Sequence, residues 1–110
     1  MKLSEKKCVP CEGGVPKLTA EETAAMLAHV DGWEARDEKL HKSWTFGDFV
    51  EAMDFVNAMA EVAEDEGHHP DFCVHFNRVD VSIWTHAIDG LSENDFILAA
   101  KIDELAEEVE

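Results

Sequence analysis

Two pairs of alternating runs, each joined tightly, restrict how this chain can fold. Phe72, Val74 and Phe76 alternate with Cys73, His75 and Asn77, a pattern that reads as a half-buried strand. Val79, Val81 and Ile83 alternate with Asp80, Ser82 and Trp84 in the same way. The connection at Asn77-Arg78 is far too short for the crossover that a parallel pair requires, so the two runs form an antiparallel hairpin. Residues 33–36 and 40–46 flank the polar Asp37-Glu38 and repeat the arrangement. Leu40, Trp44 and Phe46 share one face; His41, Ser43 and Thr45 share the other, where His41 reads as a solvated strand residue.

Helical patterns surround these hairpins. Thr19-Ala20-Glu21-Glu22 is a capping box, after which Thr23, Leu27 and Val30 mark a face that Gly32 closes. The longest helix is expected over about residues 48–66. Phe49, Ala52, Met53, Val56, Ala60 and Ala63 form one stripe on it, and Phe55, Met59 and Val62 a second. A helix on a sheet needs one stripe, so the second is expected either against another subunit or within a wide buried face of the monomer. Ser92-Glu93-Asn94-Asp95 opens the last helix as a capping box, with Leu98, Ile102, Leu105 and Val109 as its buried face. The order αββαββα predicts an α+β fold: two layers, a four-stranded antiparallel sheet and three helices on one face. Residues 1–17 are expected to be a flexible N-terminal arm, and residues 18–110 a single domain.

Charge narrows the function. The chain has 110 residues, with 25 acidic against 9 basic and a formal net charge of −16. No basic stripe is visible, which argues against direct nucleic-acid or anionic-membrane binding. No apolar run approaches the ~20 residues of a membrane span and no signal-peptide pattern opens the chain, so a cytoplasmic protein is expected. Cys8-Val9-Pro10-Cys11 has the spacing of half a zinc site or a redox pair. With only Cys73 besides, it lacks a second pair, leaving Cys8 and Cys11 as weak metal candidates or incidental thiols of the arm.

The chemistry concentrates in Glu64-Asp65-Glu66-Gly67-His68-His69-Pro70-Asp71. Two imidazoles follow a helix C-terminus that Gly67 stops and Pro70 keeps stopped, beside three acidic side chains. Imidazole gains and loses a proton near neutral pH, which suits it to general acid-base work. His86 lies at the end of a strand-like run and Asp95 in the first turn of the last helix; folding of the hairpin could bring all four together. Adjacent histidines rarely both face one ion, so a metal site at His68, His69 and His86 is not expected. No Ser or Cys sits in a strand-turn-helix elbow, and no glycine loop cradles phosphate. What remains is proton transfer on a small flat molecule, with Phe72 and Trp84 as walls for it or as core aromatics.

These residues in order resemble the pterin-4a-carbinolamine dehydratase family. The likeness is carried by the Glu64 to Pro70 run, the aromatic Phe72, Asn77, Val79, Thr85-His86, and Gly90-Leu91-Ser92-Glu93-x-Asp95. Gly32-Trp33 and Phe46-x-Asp48-Phe49 extend it over about residues 18–109. The resemblance implies dehydration of a 4a-hydroxytetrahydropterin to the quinonoid dihydropterin, the recycling step after aromatic amino acid hydroxylation. It implies catalytic roles for His68, His69 and His86, support from Asp95 and Glu64, and no cofactor, the pterin being substrate. His68 and His86 would exchange protons with the substrate, His69 would anchor it, and Asp95 would orient His86. A homodimer or homotetramer is also implied. A non-enzymatic dimerisation, assembly or coactivator module on the same fold is the alternative. The chain departs from many relatives at Asn94, where Arg is common, and at Trp84, where a smaller residue is common.

Overall fold

The computed structural model describes residues 3–8 and 17–109. The chain runs through α1 (Ala20–Leu27), β1 (Glu34–Arg36), β2 (Lys39–Thr45), α2 (Phe49–Glu66), β3 (Asp71–His75), β4 (Arg78–Ile83) and α3 (Glu93–Val109). Short 3-10 turns stand at Leu3–Glu5 and His86–Ile88. The sheet order is β1-β2-β4-β3 and every neighbouring pair is antiparallel, the α+β arrangement the two tight connections dictate. Both bonds of the Thr19 capping box are present, and Asp48 caps α2 by accepting the Glu51 N–H at 2.8 Å. Among the described residues no helix is long and apolar enough to cross a membrane.

Both hairpins close with two-residue loops. Asp37 and Glu38 both take positive φ, as the tightest right-twisted hairpin requires. The second loop is Phe76-Asn77, one residue earlier than the sequence suggests, because His75 pairs with Arg78. Asn77 is pinned there: its side-chain amide donates to the Phe46 carbonyl at 2.9 Å and its own carbonyl accepts the Phe46 N–H at 2.8 Å.

The core gathers over β2 and β4. Leu40, Trp44, Val79, Val81 and Ile83 meet Ala52, Phe55, Val56 and Met59 of α2 and Phe96, Leu98 and Ile102 of α3. This decides one open alternative and corrects one expectation. Phe55 and Met59 are fully buried inside the monomer, with the Phe55 ring 5.0 Å from Trp44 and 5.1 Å from Phe46. Ala52, Phe55, Val56, Met59 and Ala63 are one inward stripe at helical spacing, which the two-stripe reading had split between two directions. Phe49 and Ala60, expected on a buried stripe, are exposed instead, as is Val50. The edge strand β3 is also not half-buried: Phe72, Cys73 and His75 are exposed and only Val74 is partly covered, since the helices pack over the central strands.

In α3 every residue from Asn94 to Ala99 is buried, whereas Leu105 and Val109, expected on the buried face, are only half-covered. The N-terminal half is enclosed on more than one side. The core packs against it, and residues 3–8 lie along it, with Leu3 against the core and Lys101 Nζ donating to the Ser4 carbonyl at 2.8 Å.

Strand parity sends Lys42 inward with Leu40 and Trp44, to the rim of the core. Its Nζ donates to Asp103 Oδ1 and to the Asp31 carbonyl, each at 2.7 Å, while Trp33 Nε1 donates to the same carboxylate. Burial nevertheless pushes the Asp103 carboxyl above its ordinary value of 3.8, outweighing Lys42 and Trp33, which pull it down. Folding thus favours the protonated form. The stability Asp103 contributes is fully present below pH 3.8 and is lost as pH rises through the raised folded value. In Asp103→Asn that loss is abolished. Urea unfolding should therefore show the variant gaining on the parent as pH rises from 3.8 through the raised folded value. A constant difference between the two proteins would refute this account of Asp103.

Candidate active site

Helix α2 ends at Glu66, and Gly67 follows in the left-handed conformation at φ 66°. The N–H groups of Gly67 and His68 both donate to the Ala63 carbonyl, satisfying the last turn while reversing the chain. The reversal separates the adjacent histidines. His68 is 6% exposed; His69 remains outside.

His68 Nε2 lies 2.6 Å from Asp95 Oδ1, and Asp95 is fully buried. The other carboxylate oxygen, Oδ2, accepts from Thr85 Oγ1 and from the Ser92 N–H, each at 2.8 Å. Asp95 therefore reaches back to Ser92 as a capping box predicts. The Ser92 hydroxyl does not complete the box and is 2.8 Å from the Thr85 hydroxyl instead. A carboxylate so placed is tolerated because both of its oxygens are engaged. His69 Nε2 is 2.5 Å from Glu64 Oε2 in an exposed pair that orients the ring but adds little stability.

His86 arrives from a separate part of the chain. Thr85 and Gly90 close a loop through Thr85 N–H to Gly90 O at 2.9 Å and the return bond at 3.4 Å. Within it the 3-10 turn His86–Ile88 breaks the strand alternation that sequence parity would have continued. His86 is exposed, its ring stacked on Trp84 with centroids 4.2 Å apart and planes 9° apart. Lys39 Nζ sits 4.3 Å from the Trp84 ring centroid.

His68, His69 and His86 line one cleft of about 390 Å³, together with Gly67, Asp71, Thr85 and Ala87. Asp95 and Glu64 stand behind two of these rings. A larger concavity of about 640 Å³ around Lys42 and Asp103 contains none of the three histidines. Asp95 does not pair with His86, as the sequence suggested, but with His68: the start of α3 lies beside the end of α2, whereas His86 sits on an exposed turn. Phe72 is on edge strand β3 outside the cleft lining, and Trp84 backs His86 instead of lining the cleft. Sequence reasoning missed Thr85 as a partner of Asp95. Parity held a signal for Thr85, which falls in phase with the inward Val81 and Ile83. Among the described residues no group of three or more His, Cys, Asp or Glu is placed to hold a metal ion. Cys11 lies outside the described residues.

The chain matches the family model described as Pterin 4 alpha carbinolamine dehydratase over residues 16–105. It is 50% identical over 104 residues to a Rubrobacter xylanophilus protein provisionally named pterin-4-alpha-carbinolamine dehydratase, covering 94% of this chain and 97% of the other. It is also 50% identical over 108 residues to a Methylococcus capsulatus protein of the same provisional name, covering 96% and 95%. A Brucella melitensis crystal structure described as a transcriptional coactivator/pterin dehydratase superposes with TM-score 0.80 at 36% identity, covering 83% of this chain and 99% of that one. A pterin dehydratase-like protein identified as a RuBisCO assembly factor of the alpha-carboxysome superposes with TM-score 0.57 at 27% identity, covering 67% and 86%.

Proposed function

Since this chain belongs to the pterin 4 alpha carbinolamine dehydratase family, we propose that it dehydrates a 4a-hydroxytetrahydropterin to the quinonoid dihydropterin, in recycling of the pterin cofactor of aromatic amino acid hydroxylases. The observation that carries this reading is the convergence of His68, His69 and His86 on one cleft, with His68 held by the buried Asp95. The reaction breaks the C4a–O bond, releases the hydroxyl as water after it gains a proton, and removes the N5 proton as the C4a=N5 bond forms. Two imidazoles that line one cleft from separate chain segments suit that exchange, and the proposed step needs no cofactor.

His68 uses Nε2 on Asp95, which leaves Nδ1 as the nitrogen available to a ligand. His86 approaches from the opposite chain segment, its ring fixed by stacking on Trp84. In this reading His68 and His86 exchange protons at the 4a-hydroxyl and N5. His69, turned by Glu64, anchors the pterin. Each imidazole need supply only the ~10²–10⁴-fold typical of general acid-base catalysis.

The apolar residues at the surface support a homo-oligomer. Phe72 and Phe76 lie on and beside edge strand β3, whose outer side pairs with no other strand among the described residues, and Phe49 and Val50 open α2. A second reading, an assembly or coactivator module without catalysis, draws on the descriptions of the two solved relatives. One assay separates the two. Quinonoid dihydropterin formation from synthetic carbinolamine should be accelerated by the protein well above the unaided rate. An unchanged rate across a range of protein concentrations would reject the enzyme in favour of the module.

A further inference from the structure

Glu66 breaks a local rule. It is the last residue of α2, where the helix already carries partial negative charge, and its side chain is only 3% exposed. A carboxylate there is unfavourable unless hydrogen-bond donors and cations meet it. They come from outside the helix. The Cys8 N–H donates to Glu66 Oε1 at 2.7 Å, Lys101 Nζ stands 3.8 Å from Oε2, and Lys7 Nζ 3.9 Å from it.

The same short segment reaches the other side of the site. Cys8 Sγ is 3.6 Å from the carbonyl of Asn94, the residue before Asp95. Lys101, whose ammonium faces Glu66, also donates to the Ser4 carbonyl, and Lys6 Nζ is 3.5 Å from Glu93 at the start of α3. Cys8 therefore touches both segments that deliver the His68–Asp95 pair. On one side is Glu66, two residues before His68; on the other is Asn94, next to Asp95.

We infer that Glu66 is a positioning residue for the active site: by receiving the Cys8 N–H it docks residues 3–8 as a strap across the end of α2 and the start of α3, and so sets the His68–Asp95 geometry. The inference rests on the dehydratase reading for its kinetic consequence but not for its structural one. A residue that fixes two helix ends acts on the rate chiefly through placement, and small misplacements of an acid-base group carry large rate penalties.

Three variants test it beside the parent. Glu66→Ala removes the acceptor, Glu66→Gln keeps an oxygen in its place, and Cys8→Pro removes the donor while leaving the carboxylate. The kcat of Glu66→Ala and of Cys8→Pro should fall roughly tenfold with KM little changed, and Glu66→Gln should recover most of it. Independently of activity, the titration of the His68 imidazole followed by ¹⁵N NMR should be displaced in Glu66→Ala and Cys8→Pro and restored in Glu66→Gln. Should Glu66→Ala fail to fold, Cys8→Pro against Glu66→Gln carries the comparison alone. An identical His68 titration in every folded variant overturns the inference, as does a Glu66→Gln protein no better than Cys8→Pro. A parent protein without dehydratase activity would reject the proposed function, and the His68 titration would still decide the strap.

Discussion

Replacing His86 with alanine should lower the catalysed dehydration by ~10²–10⁴-fold while leaving the fold intact. The two halves of that expectation have separate grounds. His86 is exposed on a 3-10 turn, where its ring stacks on Trp84. Surface substitutions of this kind usually change stability by no more than about 0.5 kcal/mol. The chemical loss is large because, in the proposed mechanism, His86 is one of the two imidazoles that exchange protons with the substrate, and alanine carries no group to replace it. Stopped-flow formation of quinonoid dihydropterin, corrected for the unaided reaction, measures the loss. Thermal unfolding checks that the fold is kept. A His86→Ala protein with full activity would remove His86 from the mechanism.

Asp95 should behave differently, losing activity and stability together. Its carboxylate accepts from Thr85 and Ser92 and pairs with His68, and all of it is buried. Asp95→Ala leaves these groups without their partner in a place water does not reach, at about 1–3 kcal/mol for each polar group left unsatisfied. A total loss of about 3 kcal/mol or more is expected, which for a domain of this size lowers Tm by at least about 10 °C. Asp95→Asn is the more informative variant for chemistry. Its amide oxygen can still accept from Thr85 and Ser92, but the amide nitrogen then faces His68 Nε2 as a donor. That arrangement requires Nε2 to be unprotonated and places the ring proton on Nδ1, reversing the tautomer presented to the cleft. The expected result is a rate reduced by about 10²-fold or more with a smaller stability loss than in Asp95→Ala. Equal activity of Asp95→Asn and parent would show that the orientation of His68 does not matter to the reaction.

The fate of individual residues shows how far local pattern reaches. The two hairpins, the order of elements, the cap at Thr19 and the helix stop at Gly67 follow from spacing and residue type, because alternation, capping and loop length act over a few neighbouring positions. Phe55 and Met59 were harder to place, since the direction in which a helix faces its sheet depends on where the sheet lies. For the same reason β3 looked half-buried: its alternation is real, but no sequence signal says that it would be left at the sheet edge.

The site divides along the same line. His68, His69, His86 and Asp95 could be named as candidates from residue type and position along the chain, and Glu64 from the family resemblance. Which carboxylate serves which ring could not. The pairing of Asp95 with His68 and the reach of Cys8 to Glu66 join residues 27 and 58 positions apart, respectively. Sequence by itself determined which groups were available and how each local segment would turn. Tertiary structure alone decided who met whom, because burial and hydrogen-bond partners at long separation depend on how the end of α2 and the start of α3 come to lie side by side.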